Sequence, residues 1–226
     1  MNEISFNFIV CKAYHEKRTL PLVDYLDRNM KKHFPDGKYW LLGAESTDLV
    51  TKVSDSDDYL SGIDKTIGVF RLHDGQEYDW YFIGDDDTFI NFENMRKVTS
   101  VLSKDDKCVY GHACMANDDR IGVFAHLHGG SGILISRSAF LAIKSFMDAA
   151  NTLGILRRHN KHGDVTVAMN IIAHNAMFPH SPVKIIDVQG MVSPHIPIDH
   201  VNVKNAICIH TKDRVSFDEL ERRMNA

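Results

Sequence analysis

Tyr78-Asp79-Trp80-Tyr81-Phe82-Ile83-Gly84-Asp85-Asp86-Asp87-Thr88-Phe89-Ile90-Asn91 is the stretch that decides how this chain folds. Trp80 to Ile83 is too short for a helix and rich in strand formers, so it reads as a buried strand. Gly84 ends the run, and three carboxylates follow at once. A second apolar fragment, Phe89-Ile90, resumes behind them. Adjacent acids at the end of a buried strand repel one another unless a cation sits among them. Carboxylate oxygens suit magnesium or manganese, and such ions commonly hold substrate phosphates with their remaining positions. In an open α/β sheet, ligands bind beyond the carboxyl ends of the strands. A solvated acidic turn is the bland alternative for any Asp triplet. The buried strand directly in front favours a metal site gripping a phosphorylated substrate.

Working outward, 226 residues suffice for one large α/β domain. The apolar and charged fractions, 44% and 25%, are ordinary for a soluble globular protein. A net charge of −4 carries no basic footprint for nucleic acid. No apolar run approaches a membrane span, and Met1-Asn2-Glu3 leads into a strand without a secretory signal. Cys11, Cys108, Cys114 and Cys208 lack metal-ligand spacing. A reduced, cytosolic setting is expected, with a Cys108–Cys114 disulfide as a testable alternative.

Taken in order, Ile4 to Val10 is a strand, followed by a helix from about Arg18 to Lys32 with an apolar stripe. Pro35-Asp36-Gly37 is a turn, and Tyr39 to Gly43 a second strand. Ser54 to Asp58 is an acidic loop, and a helix is expected from Tyr59 to about Arg71. After the aspartates come a helix from Phe92 to Leu102 and a strand at Cys108-Val109-Tyr110. This alternation predicts a mostly parallel sheet with helices on both faces.

Met115 to Arg120 is polar and reads as a loop. Gly129-Gly130-Ser131-Gly132 precedes an apolar strand, Ile133 to Ser136. Glycines there permit close approach of a ligand or backbone, although a plain turn explains them equally well. No Gly-Lys-Ser/Thr follows, so this is no P-loop. Ser138 is expected to cap a helix reaching Met147. Arg157 to His162 reads as a basic surface loop, and Val165 to Ala173 as a helix. Asp164 at its start is either an N-cap or a carboxylate suited to general-base work. Ala206 to Ile209 is a short strand ending at His210, which is either structural or a metal ligand. Ser216 to Arg222 reads as a surface helix. Histidines also fall in loops at His126, His128, His159, His162, His195 and His200, but no His-Glu-x-x-His pair supports a zinc hydrolase.

The order of these pieces resembles the Fringe-like β-1,3-glycosyltransferases, the group that includes the β-1,3-galactosyltransferases (family 31-like). Cys11-Lys12-Ala13-Tyr14-His15-Glu16-Lys17-Arg18 is similar to the family's first strand and Arg-bearing turn. Leu60-Ser61-Gly62-Ile63-Asp64-Lys65-Thr66 resembles its helix with a Lys-Thr pair. Asp79 to Asn91 resembles its aromatic strand and Asp-x-Asp signature. Gly129 to Ser136 resembles its Gly-Gly-Ala-Gly strand, Gly163 to Val167 its acidic helix start, and Ile209-His210 its terminal histidine. The resemblance implies a GT-A, Rossmann-like α/β fold over residues 1–226. The nucleotide-sugar half would span about 1–112 and the acceptor half about 113–226. It implies manganese or magnesium held by Asp87, His210 and Asp85, with Asp85 and Asp86 near the ribose or the metal's waters. Lys12, Arg18 and Lys65 would lie near the nucleotide, Gly130, Ser131 and Gly132 would border donor and acceptor, and Asp164 would be the base.

That resemblance implies an inverting transfer from a nucleotide sugar, UDP-linked, to a hydroxyl of a glycan or glycoconjugate acceptor, with specificity in loops such as Met115 to His128 and His195 to Val203. Two departures stand out. Gly163 occupies the place of a first acid, leaving Asp164 alone. No membrane anchor or disulfide set of the Golgi members is visible, which suits a soluble bacterial or virus-encoded version or one domain of a longer protein. Two rival readings follow from the same residues. A catalytically weak nucleotide-sugar or glycan-binding module would keep the metal site without a working base. A phosphatase of the haloacid dehalogenase type fits poorly, because Phe89 stands where Thr or Val should and the motif lies far into the chain.

Overall fold

Strand β4 (Trp80–Asp85) separates the two cores of the protein because its side chains alternate between faces. In this computed structural model, which describes residues 3–58, 61–74, 77–118, 122–147 and 162–226, Trp80 and Phe82 pack on one side with Phe6, Phe8, Tyr25 and Phe92. Tyr81 and Ile83 pack on the other with Phe70, Ile133 and Phe140. The Tyr81 and Phe140 rings stack with centroids 3.6 Å apart, and Phe70 stacks on Phe140 at 4.5 Å. Burying each such ring contributes roughly 1.5–3 kcal/mol, so β4 is held from both faces.

Around β4 lie β1 (Ile4–Ile9), β2 (Lys38–Gly43), β3 (Val50–Lys52), β6 (Cys108–Gly111), β9 (Ile133–Ser136) and β10 (Lys184–Asp187). The sheet runs β10-β6-β9-β4-β1-β2-β3. All neighbours are parallel except β9, which is antiparallel to both β4 and β6. This is the expected α/β architecture, a mostly parallel sheet with helices on both faces. Helices α1 (Leu20–His33) and α3 (Phe92–Val101) cover one face, joined by α6 (Phe217–Asn225). On the other lie α2 (Ser61–Leu72), α4 (Arg137–Met147) and α5 (Gly163–Met177). The chain leaves β1 toward β2 and β3, then returns to β4 on the opposite side of β1. The β1/β4 boundary is therefore a topological switch point, where a crevice opens beyond the strand ends.

A small second sheet does the positioning. β5 (Thr88–Ile90) pairs antiparallel with β12 (Cys208–His210), which pairs with β11 (Met191–Val192). Among the described residues, no helix is long and apolar enough to cross a membrane.

Several expectations are corrected. Met115 to Arg120 is not a loop as far as it is described. β7 (Ala113–Asp118) pairs with β8 (Gly122–Leu127), because cross-strand pairing satisfies the backbone of a polar segment as well as of an apolar one. Residues 119–121 lie outside the description. Ser136, not Ser138, caps α4: its hydroxyl accepts from Ala139 N at 3.2 Å. β4 runs past Gly84 to Asp85. The helix expected from Arg18 begins with a wide π turn, His15–Thr19, that feeds α1. Tyr59 and Leu60 at the expected start of α2, and 157–161 in the basic segment, lie outside the described residues. β3, β10 and β11 were not anticipated, since runs this short carry little periodicity. All four cysteines are free thiols, including Cys108 and Cys114.

Candidate active site

The aspartate turn is built by its own threonine. Asp85 N donates to Thr88 Oγ1 at 2.9 Å, and that hydroxyl donates to Gly130 O at 2.9 Å. Asp86 N reaches Ile9 O, at the end of β1, at 3.2 Å. The turn is thus pinned between β1 and the glycine segment. His210 arrives from far along the chain because β12 pairs with β5, placing His210 opposite Thr88. Thr211 adds two hydrogen bonds to Asp87 O, from its N and its Oγ1, both 3.0 Å.

Asp85, Asp87 and His210 place ligand atoms within 4.8 Å of one another. Burial first, then Asp87, pushes the Asp85 carboxyl up to about 7, against the pull of His210 and Arg18. Burial, Asp87 and Asp85 do the same to Asp86, also to about 7. His210 Nε2 lies 3.2 Å from Asp87 Oδ1 but is not aligned for a hydrogen bond, and Asp87 Oδ1, Asp86 Oδ2 and His210 Nδ1 are buried without a hydrogen-bond partner. Buried acceptors left unpaired are costly. The carboxylates of Asp85 and Asp87 and the imidazole of His210, with Asp87 Oδ1 left unpaired among them, are a donor set that fits a manganese or magnesium ion.

These residues sit in a cleft of about 1080 Å³ that also admits Arg18, Lys65, His126, His128 and Asp164. Arg18, on the π turn, places Nη1 3.5 Å from Asp86 Oδ1 and 3.3 Å from Asp87 Oδ2. Its guanidinium also lies 4.1 Å from the centre of the Tyr14 ring. Lys65 is buried and bound to Val10 O at 2.9 Å and Asp57 Oδ1 at 2.5 Å. Lys12 stands apart from this group. Its ammonium is exposed and pairs with Glu45 at 2.5 Å, and it borders a smaller neighbouring cavity of about 510 Å³.

Asp164 occupies the first turn of α5, where the helix dipole favours negative charge. It is not the N-cap, a position held by His162. Asp164 Oδ1 accepts from Val165 N at 2.8 Å, and Oδ2 from Gly129 N at 3.0 Å. Gly129 thus orients Asp164, while Gly130 lies flat against His210. Gly129 and Gly130 line the cleft, whereas Ser131 and Gly132 are not among its walls. Ser131 is buried, and Gly132 adopts φ 83° against the Phe82 ring. Gly163, the departure noted above, has a packing cause. A Cβ there would lie 2.4 Å from Thr66 Oγ1 and 2.6 Å from Gly62 O, so no acid fits.

Sequence reasoning missed Gly129, Asp57, Thr88, His128 and Asp213. His128 lies 5.4 Å from His210 and 6.1 Å from His195, ring to ring, and burial with His210 pushes it down to about 4, leaving a neutral imidazole at pH 7. Asp213 was legible only as the acid two places beyond Thr211.

A model of the Fringe-like family matches residues 1–186. Over 129 residues the chain is 29% identical to the chondroitin sulfate glucuronyltransferase of Homo sapiens, covering 54% of this chain and 16% of that protein. The chain therefore spans about a sixth of that relative's length. Among solved structures, it is similar to a glycosyltransferase involved in the glycosylation of the major capsid of PBCV-1, with 15% identity, 98% of both chains covered and a TM-score of 0.49. It is also similar to the apo-form glycosyltransferase GlyE of Streptococcus pneumoniae TIGR4, with 11% identity, 92% of this chain and 54% of that one covered, and a TM-score of 0.42.

Proposed function

Because the chain belongs to the Fringe-like family, we propose that it is a glycosyltransferase, metal-dependent and inverting, which moves a sugar from a UDP-linked donor to a hydroxyl of a glycan or glycoconjugate acceptor. The observation that carries this reading is the meeting of Asp85, Asp87 and His210 within 4.8 Å, in the cleft that also holds Asp164.

Asp85, Asp87 and His210 would hold a manganese or magnesium ion, which when bound supplies Lewis-acid charge to a leaving diphosphate. The remaining work belongs to the chain. Arg18 keeps a fixed positive charge beside Asp86 and Asp87, at 3.3–3.5 Å, where the nucleotide's phosphates would lie. Asp164 takes the proton of the acceptor hydroxyl as its oxygen attacks the anomeric carbon. The bond from that carbon to the phosphate oxygen breaks on the opposite side, so the centre inverts in one displacement. Each Asp164 oxygen already accepts one backbone N–H and keeps a lone pair for the proton, which fixes its aim. The glycine at 163 follows from helix packing, so it does not by itself favour a non-catalytic binding module.

A thermal-shift screen of nucleotide sugars, with and without manganese, tests the donor class, since a ligand of the folded state raises its stability. The human relative's glucuronyl transfer puts a UDP-linked glucuronate first in that screen. Asp87→Ala is expected to abolish manganese-dependent UDP binding in calorimetry. Asp164→Asn is expected to lower turnover about 10²–10⁴-fold while sparing donor affinity. Normal metal-dependent binding in the first variant, or full transfer in the second, would overturn the reading.

A further inference from the structure

The turn after β12 runs against the backbone's preference. Lys212 and Asp213 adopt φ 47° and 57°, and they are the positive-φ non-glycine residues among the described residues. Side chains with a Cβ are disfavoured in this left-handed region, and such conformers persist only when surrounding contacts over-determine them. Aspartate is among the residues that tolerate this region, so Lys212 is the unusual one, where glycine or asparagine would be expected.

Two of the contacts that hold the turn lead to the acid cluster, those of Thr211 and of Arg18. Thr211 is bound twice to Asp87 O, and Arg214 N closes the turn on Thr211 O at 3.0 Å. Asp213 accepts Arg18 Nε at 2.9 Å and Nη2 at 2.8 Å, a two-pronged pair, and Lys17 Nζ at 2.9 Å. The third guanidinium nitrogen, Nη1, is the one that faces Asp86 and Asp87. Asp213 is thus bonded to the same arginine whose other edge serves the site.

The turn places Lys212 in the lining of the cleft. The other lysine and arginine of that lining are committed, Arg18 to Asp86, Asp87 and Asp213, and Lys65 to Asp57. Among the described residues, Lys212 is exposed and has no carboxylate partner. The charge count asks for such a group. Arg18, Lys17 and a divalent ion together offset Asp85, Asp86, Asp87 and Asp213. The charges of a bound diphosphate are then left over, and they grow as the sugar–phosphate bond breaks. We infer that Lys212 is a further donor-binding residue that contacts the phosphate oxygens of the nucleotide sugar. Asp213 is the positioning residue that, through Arg18, holds the turn so that Lys212 faces them. The inference rests on the nucleotide-sugar reading above and deepens it.

Calorimetry on the full chain with manganese, UDP and uridine tests both residues. Lys212→Gln is expected to weaken UDP binding about tenfold and flatten its salt dependence, with manganese binding unchanged. Lys212→Arg should recover most of the loss. Asp213→Asn should weaken UDP to a similar degree and add little on top of Lys212→Gln, since the two act as one unit. Lys212→Gly separates ligand contact from folding. It relieves the left-handed residue, so it should melt no lower than the wild type while binding UDP as poorly as Lys212→Gln. If the wild type binds UDP and these variants match it, or if the two losses multiply, the assignment is overturned. If the wild type binds neither manganese nor UDP, the transferase reading itself fails, and this inference falls with it.

Discussion

At the residue scale, the glycine segment is the least obvious part of the site. A Cβ added at Gly130 would lie 2.3 Å from both Cε1 and Nδ1 of His210, and the ring has nowhere to retreat without leaving the acid cluster. A Cβ at Gly129 would meet Asp164 Cβ at 3.2 Å, a tight contact that a small shift relieves. The two neighbouring substitutions should therefore fail differently. Gly130→Ala is expected to weaken manganese binding at least tenfold, read by calorimetry, in a protein whose circular dichroism is unchanged. Gly129→Ala should keep manganese binding and lower turnover, because it disturbs only Asp164, the proposed base. Equal manganese affinity in both variants would show that His210 does not depend on the bare face of Gly130.

At the element scale, α5 and α2 approach closely where Gly163 meets Gly62 and Thr66. This crossing sets where Asp164 enters the cleft. The two glycines are not equivalent. A Cβ at Gly62 would find Gly163 N at 3.8 Å, an ordinary contact, whereas one at Gly163 meets backbone and hydroxyl oxygens below 3 Å. Gly163→Ala is expected to cost about 1–3 kcal/mol in urea unfolding, the usual range for overpacking. Gly62→Ala should be neutral or slightly stabilising, as alanine favours helix over glycine by roughly 0.8–1 kcal/mol. The reverse order would mean that the helices separate freely and that the glycine at 163 needs another explanation. The second sheet is the other decisive element. Pairing of β12 with β5 delivers His210 to Asp87, so the acid–histidine cluster exists only when residues about 120 apart in sequence are joined.

At the scale of the whole molecule, stability and pH are linked through a buried polar knot beneath the central sheet. His73 Nε2 lies 3.0 Å from Ser5 Oγ and 2.8 Å from Asn7 Oδ1, and all three residues are buried. Burial, then Lys144, pushes His73 down to about 4, so the folded protein holds it neutral. The unfolded chain takes up a proton there near pH 6.5. This contribution to stability is therefore complete above pH 6.5 and is lost as pH falls toward 4. The loss should be on the order of 2–3 kcal/mol. In denaturant melts, wild type should lose stability faster than His73→Gln over that window; parallel curves would refute the assignment. Much of the architecture was already readable in the sequence. Trp80 to Ile83, the helical stripe of α1 and the acids at a strand end are local patterns, and local patterns follow from side-chain chemistry and period alone. Lys65, Arg18, Asp85, Asp87, Asp164 and His210 could be nominated in the same way and through the family resemblance. Their meeting could not. Lys12 turned toward Glu45, Asp213 bound to Arg18, Gly129 bonded to Asp164 and the hairpin of β7 and β8 depend on partners distant in sequence. Residue types and spacing determined which strand ends in acids and which face of each helix is apolar. Only the tertiary structure decided which acid meets which histidine, because strand pairing and close helix crossing are set by the whole packed molecule and not by any one segment.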